Sequence, residues 1–398
     1  MKKNKTLISV ICTFLATTIL WITVYNCTVM SNPVIKKAVD AYDLIEKNYI
    51  FDYDEEYMKD VVVAAMVMSL GDRYSQFFSK DYYESLEESM DGHYYGIGIM
   101  VIVDPESGNV VVDSVTENSP AERSGILPGD IIIEVEGTKI TYENYEEAIS
   151  IIKGDSKVEG TEVSLKVSRG PNGIELTKRV KREKIVNHTV DYELIEPGIA
   201  YIKISSFDNE TQSEFLNVLG ELGPDNIKGL ILDLRDNGGG TLYATQNIAD
   251  MLMPKAVLTT FKYKDGSTRN IETTDRQLVK APICILVNGN SASASEVLTS
   301  GLRDNGRAKV VGEQTFGKAI AQQSIPFETE KGKVISSIYI TNASYLTPKG
   351  EYIHEKGITP DYIVKTPEEY KEKPVKEWDR EKDTQLKKAV ELIKEEIK

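Results

Sequence analysis

Three serines alternate in the stretch NGNSASASE, Ser291, Ser293 and Ser295, directly after the apolar run ICILV. A buried strand that hands over to a helix places such a turn at the carboxyl end of a sheet, the edge where α/β proteins gather their reacting groups. Any of the three hydroxyls is thereby a candidate nucleophile. The same pattern fits helix capping, since a serine ahead of a helix ordinarily satisfies its first amides. Ser293 with Glu296 three residues on also has the capping-box spacing.

A serine hydroxyl attacks only if a base takes its proton, and histidine is the usual base. The chain holds three histidines. His93 lies beside a glycine loop, His188 between strand-like segments and His354 in a polar stretch near the end. None suits a triad, and no Gly-x-Ser-x-Gly elbow is present. Lysine can replace histidine where burial removes its charge, because an apolar pocket lowers its ordinary pKa of about 10.4 by several units. Lys318 suits this role. It follows Phe316-Gly317, precedes the uncharged run AIAQQSIPF, and has no charged neighbour between Glu313 and Glu328.

A second turn, LILDLRDNGGG, sets Asn237 and three glycines between a strand and a helix beginning near Thr241. Amides at a helix N terminus bind anions. With no Lys-Ser/Thr after the glycines this is not a Walker loop, and no Gly-x-Gly-x-x-Gly supports a dinucleotide. The other candidate anion is a tetrahedral oxyanion, which needs a nucleophile nearby.

The elements that must hold these turns alternate strand and helix from Val186 onward, the mark of an α/β layer fold. Before them the period is two from about Gly92, in YYGIGIMVIVD, NVVVDSV and DIIIEVEG, with a helix over Tyr142 to Lys153. With Tyr95-Gly96-Ile97-Gly98, SPAERSG and LPGD at these intervals, residues 93–184 resemble a PDZ domain. The resemblance implies that the amides of Tyr95, Gly96, Ile97 and Gly98 hold the terminal carboxylate of a peptide added as a strand. Ile97 and Ile99, with Ile149 or Ile152, would line an apolar pocket. Arg169, at a strand end, is read as a solvated charge or a carboxylate contact. From Pro33 to Met90 the pattern reads helical and shows no chemistry.

Leu7 to Met30 is apolar and lies in a stretch without charge between Lys5 and Lys36. At roughly 1.5 Å per helical residue it crosses a bilayer core of about 30 Å. TVMSNP lacks a small-x-small cleavage site and Cys27 follows Val-Tyr-Asn, so an uncleaved anchor is expected. Lys2, Lys3 and Lys5 place the N terminus in the cytoplasm and the rest outside the cell membrane. The formal charge of -15 sits despite these lysines, and so acidic a surface repels phosphate backbones and excludes nucleic acid as a partner. Cys12 and Cys27 fall in or beside the span. Cys284, alone in the soluble part, reads as a buried small hydrophobe.

Taken together, the helical lead, the PDZ-like module, ISSF, LDLRDNGGG, NGNSASASE, VVGEQTFGKAIAQQ and GITPD resemble the carboxyl-terminal processing peptidases, or tail-specific proteases. That resemblance makes Ser293 the nucleophile, Lys318 the general base and Gln322 its support. It assigns the oxyanion amides to Gly238 or Gly239 and to Ala294. It implies an α/β catalytic core (ββα-type, with crotonase-like layers) and a PDZ domain of α+β type and calls for neither metal nor cofactor, to which the residue patterns add helical arms at both ends and one N-terminal transmembrane helix. On a straight strand Lys318 and Gln322 share a face but lie about 13 Å apart at Cα, so direct contact needs a bend or long side chains reaching inward.

The expected plan is a cytoplasmic stub over 1–6, an anchor over 7–30, a helical region over 33–92, the PDZ domain over 93–184, the peptidase core over 186–365, and a charged linker with a helix over 366–398. The expected activity is that of a membrane-tethered, extracytoplasmic serine endopeptidase that recognises and cleaves proteins near or via their C-termini. Its partners are protein or peptide substrates with free C-termini. The alternatives are an inert PDZ scaffold and an apolar-ligand carrier on the same fold. In the last helix Leu386, Ala389, Leu392 and Ile393 share a face. That stripe predicts either a homodimer through the terminal helices or folding back onto the chain's own core.

Overall fold

The runs GLILD, as far as its last residue Asp233, and ICILV are apolar at consecutive positions, not at alternate ones, which is the signature of a strand covered on both faces. In the computed structural model every residue of both strands is buried. The structure describes residues 13–21, 23–24, 31–104, 107–142, 144–154, 160–329, 331–371 and 373–397. Two compact units comprise residues 1–62 and 63–398, the division falling within a helix.

In the first unit residues 13–21 and 23–24 are helical and exposed. Among the described residues no helix is long and apolar enough to cross a membrane. The rest of the expected span, with Cys12, Cys27 and the lysines before it, lies outside the described residues. Helix α1, Pro33–Asn48, starts where the Asn32 side chain accepts from the amides of Val34 and Ile35, and α2 is Glu55–Met68.

Gln76–Ser79, read as part of a helical lead, is a strand, β1, followed by α3, Lys80–Asp91. Four residues cannot declare a strand alone. This one forms because it pairs with a distant strand, Gln76 opposite Tyr339 and Ser79 opposite Ser336.

The PDZ module follows: β2 His93–Gly96, β3 Ile99–Val103, β4 Val110–Val115, α4 Pro120–Arg123, β5 Ile131–Val135, β6 Thr138–Lys139, α5 Tyr145–Lys153, β7 Glu162–Arg169, β8 Ile174–Lys181 and β9 Glu183–Val186. Its sheet runs β3-β4-β5-β7-β8, with β6 on β5, while β2 pairs with β9. Alternate residues of β7 (Val163, Leu165, Val167) meet Val110, Val112, Ile126 and Ile132 in a core of their own.

The remaining chain builds two sheets. Its elements are β10 Val190–Glu196, β11 Ile199–Ile204, α6 Thr211–Leu222, β12 Gly229–Asp233, α7 Leu242–Leu252, β13 Val257–Tyr263, β14 Thr268–Glu272, β15 Ile283–Val287, α8 Ala294–Asp304, β16 Ala308–Gly312, β17 Ile320–Glu328, β18 Val334–Leu346, β19 Tyr362–Ile363 and α9 Thr384–Ile397. The first sheet is ordered β10-β11-β12-β15-β16-β19, with parallel pairing from β11 to β19. One face, through Leu230, Leu232, Ile283 and Ile285, packs on α6, α7 and α8. The other, through Ile231, Cys284 and Leu286, takes the α9 stripe of Leu386, Ala389, Leu392 and Ile393. The stripe therefore folds back on its own sheet, which removes it from any dimer surface. Burial pushes the Cys284 thiol up to about 12, and it serves as packing.

The second sheet is antiparallel, β1-β18-β13-β14 with β17 also on β18. Helix α8 is buried from Ala294 to Leu302 and shares one core with Phe261 and Tyr345 of this sheet. Both sheets thus converge on its N terminus. The last segment is fastened from below. Arg235, 1% exposed, lies against Asp233 (2.6 Å) and Asp383 (2.9 Å), donates to Gln385 and faces the Trp378 ring. A guanidinium so deeply buried is tolerable only with carboxylate partners.

Candidate active site

The strand β15 ends at Val287, and the turn to α8 brings the three serines into different surroundings. The Ser291 hydroxyl donates to the Leu234 carbonyl at 2.8 Å, and that of Ser295 to the Asn237 carbonyl at 2.9 Å. Both side chains are buried and serve to bind this turn to the glycine turn. Ser293 alone of the three lines a cavity of about 640 Å³, together with Gly238, Gly239, Ala294, Lys318, Gln322, Tyr339 and Tyr345. Its backbone has φ 57° and ψ -114°, a region that L-residues avoid and that marks a functional constraint.

The glycine turn lies directly against it. An added Cβ at Gly239 would stand 2.9 Å from the Ser293 Cβ and 3.0 Å from the Ala294 nitrogen, so only glycine permits this approach. The Gly239 amide donates to the Asn237 side chain at 2.8 Å. Among the described residues the amides of Gly238 and Ala294 have no such acceptor. The turns are further tied by the Ala292 amide, which donates to the Asn237 carbonyl at 3.0 Å.

Lys318 precedes β17 instead of lying within it. Gly317, with φ 88°, passes so close to residues 355–357 that a Cβ would lie 2.7 Å from the Gly357 nitrogen. This explains why FGK and the distant GITPD segment belong together. The Lys318 amine sits over the Tyr74 ring, 4.8 Å from its centroid. Burial draws its pKa below the ordinary lysine range, with partial opposition from the Asp72 carboxylate. Gln322 lines the same cavity. Lys318 lies in the loop before β17, and a register shift falls between Ala321 and Gln322. The Gln322 side-chain amide donates to Thr341 Oγ1 at 3.1 Å.

Two residues missed as site members staple the serine and lysine segments together. Glu296, fully buried, accepts four hydrogen bonds: from the amides of Ser293 (2.9 Å) and Lys318 (2.8 Å) on one oxygen, and from Thr315 Oγ1 (2.5 Å) and the Gly317 amide (2.8 Å) on the other. Its capping-box position was visible in the sequence, whereas its reach to Lys318 was not. The Tyr345 hydroxyl lies against the carbonyls of both Ser293 and Lys318. Burial, and then the nearby Glu296 charge, raise its pKa well above the ordinary phenol range and keep it a neutral donor.

His354 comes nearer than its polar segment foretold, its Nδ1 3.4 Å from the Ala319 amide, yet it does not line the cavity. His93 and His188 pair with Glu210 and Glu214 elsewhere. Among the described residues no group of three or more His, Cys, Asp or Glu side chains is placed to hold a metal ion.

In the PDZ module an apolar cleft of about 140 Å³ is lined by Tyr94, Gly96, Ile97, Gly98, Ile99, Val101, Ile149, Ile152 and Lys153. The isoleucines fall where expected, but Tyr95 does not line it. Strand alternation gives Tyr94 and Gly96 to the cleft and sets Tyr95 against the His93 ring, 6.1 Å between centroids. Arg169 remains partly exposed but is not free, since it binds Asp130 at 2.6 Å and donates to the Gly125 carbonyl at 2.7 Å.

Residues 198–364 match peptidase family S41, and residues 111–169 match the PDZ domain. The chain is 34% identical over 336 residues to the "Probable CtpA-like serine protease" of Staphylococcus aureus (strain N315), covering 84% of this chain and 65%, less than two thirds, of that relative's length. It is 32% identical over 330 residues to the "Carboxy-terminal processing protease CtpA" of Bacillus subtilis (strain 168), covering 82% of this chain and 68% of that protein. A solved structure, the photosystem II D1 C-terminal processing protease, aligns with a TM-score of 0.48 at 25% identity, over 82% of this chain and 86% of its own. The chain belongs to peptidase family S41, among the carboxy-terminal processing proteases that carry a PDZ domain.

Proposed function

We propose that this chain is a serine endopeptidase in which Ser293 is the nucleophile and Lys318 the general base, acting on proteins whose free C-termini enter the PDZ cleft. The observation that carries this reading is the shared cavity. Of three hydroxyls only Ser293 opens into it, beside a lysine whose amine burial has made easier to deprotonate.

Neutral Lys318 takes the Ser293 proton as Oγ bonds to the peptide carbonyl carbon. The developing oxyanion meets the amides of Gly238 and Ala294, while Gly239, whose own amide is engaged, supplies close approach. Lys318 then protonates the leaving amine, and water hydrolyses the acyl-enzyme on Ser293 with the same lysine as base. Gln322 supports Lys318 through the wall of the cavity it shares. An inert scaffold would have no use for a strained serine beside a buried amine.

Tethering by Leu7–Met30, with the peptidase outside the membrane, is part of the proposal and rests on the uncharged stretch and the lysines before it. The test is cleavage of an unfolded protein with a free apolar tail by the full chain in detergent. Ser293→Ala and Lys318→Ala should each abolish it, and chelator should leave it unchanged. Cleavage by Ser293→Ala at the parent rate would sink the nucleophile.

A further inference from the structure

The segment Asp72–Ser75 stands before the PDZ module in sequence, yet its Tyr74 packs against the lysine. Tyr74 presents its ring face to the Lys318 amine at 4.8 Å, within the roughly 6 Å over which a ring quadrupole attracts a cation. Asp72 is locked: it accepts from the Ser75 hydroxyl at 2.6 Å and from the Tyr74 amide at 3.0 Å. Burial works against its charge, but bonds from Ser75, Thr341 and the Tyr74 amide, with His354 nearby, hold its carboxyl below the ordinary range. The lock continues to Gln322, which lines the cavity. The Thr341 amide donates to Ser75 Oγ at 3.0 Å, and Thr341 Oγ1 accepts from Gln322.

Resting on the Ser293/Lys318 reading, we propose that Asp72 and Tyr74, held by Ser75, are positioning residues for Lys318 that fix its amine in the cavity and govern how readily it sheds its proton. Both favour the ammonium form, the carboxylate by its charge and the ring by its π-face. They thus offset part of the burial that frees the amine and keep it basic enough to take the serine proton. The other groups around the lysine act elsewhere. Glu296 binds its backbone amide and Tyr345 its carbonyl, while His354 sits beside Ala319. Arg73 donates to the Tyr74 hydroxyl at 2.7 Å and lies 4.8 Å from the same ring.

The experiment uses the full chain in detergent and a peptide with an apolar tail. It records kcat/KM against pH for the parent, Asp72→Asn, Tyr74→Leu and Tyr74→Phe. Asp72→Asn and Tyr74→Leu should move the rising limb to lower pH, and Tyr74→Phe should leave it in place. A limb that stays put in both of the first two, with only its height changed, overturns the proposal and leaves the segment structural. Lys318 acylation by an amine-selective reagent, read by mass spectrometry, provides the arm that needs no turnover. Both variants should label several-fold faster than the parent at neutral pH, and equal labelling overturns the proposal. Should Asp72→Asn fail to fold, the Tyr74→Leu and Tyr74→Phe pair decides alone. Survival of cleavage in Ser293→Ala or Lys318→Ala would instead refute the underlying reading, an outcome that the labelling arm distinguishes.

Discussion

The PDZ cleft and the Ser293 cavity both open beside a glycine turn, but they are assembled in opposite ways. The cleft is drawn from one continuous module, with its lining between Tyr94 and Lys153. The cavity takes residues from α3, the segment after β11, the glycine turn, the start of α8, the lysine loop and β18. A site made within one module can tolerate change elsewhere. A composite site depends on whatever fixes its pieces to one another, here Glu296, Tyr345 and the Asp72 lock.

The largest effect should come from separating the two regions. Lys318→Ala should lower kcat by at least about a thousandfold while fluorescence-measured binding of a tail peptide to the PDZ cleft stays unchanged. Loss of both would show that the regions are not independent. Glu296→Gln tests the staple. An amide has one acceptor oxygen, so two of the four donors lose their partner. A kcat decrease of about a hundredfold is expected from the loosened geometry, with about 1–3 kcal/mol lost per orphaned donor in denaturant unfolding. A change in stability with intact kcat would reduce Glu296 to a packing role.

Ile152→Ala should act on the other region. Removing apolar contact there should raise KM for tailed substrates by roughly tenfold and spare kcat, since one small hydrophobic change is worth about 1–3 kcal/mol. A fall in kcat instead would mean that tail contacts reach the chemistry. The mildest test is the pH profile. With Lys318 as the proposed base its unprotonated form is the active one, and burial lowers its pKa. Activity should therefore rise with pH along a limb centred below the ordinary lysine value of about 10.4, and tail binding should not follow that limb. An acidic optimum would remove Lys318 as base.

Local assembly is also what made one region legible. The PDZ strands, glycines and helix follow one another closely enough for period and spacing to announce them, while strand alternation, one step finer, decides that Tyr94 and Gly96 and not Tyr95 line the cleft. GLILD and ICILV were equally plain, because two buried faces leave no alternating polar positions, and the one carboxylate, Asp233, comes at a strand end. The cavity was legible only where a motif carried it. Nothing in SASAS distinguishes its serines; Leu234 and Asn237, which occupy two of them, stand 57 and 58 residues away. Tyr74 and Tyr345 carry no local signature, and β1 exists only because β18 arrives to pair with it. The register shift at Gln322 likewise depends on pairing with β18 and not on its own residues.

The anchoring of Arg235 has a consequence for how the protein comes into being. Asp383 and Gln385 supply part of its partners, and the Val375 amide donates to Asp236, beside the glycine turn. A chain made from its N terminus has Ser293 and Lys318 in hand well before these residues emerge. Until then Arg235 lacks a full set of partners and one face of the central sheet stands open to water. A partly synthesised chain thus carries the proposed nucleophile and base without a finished site in which to use them.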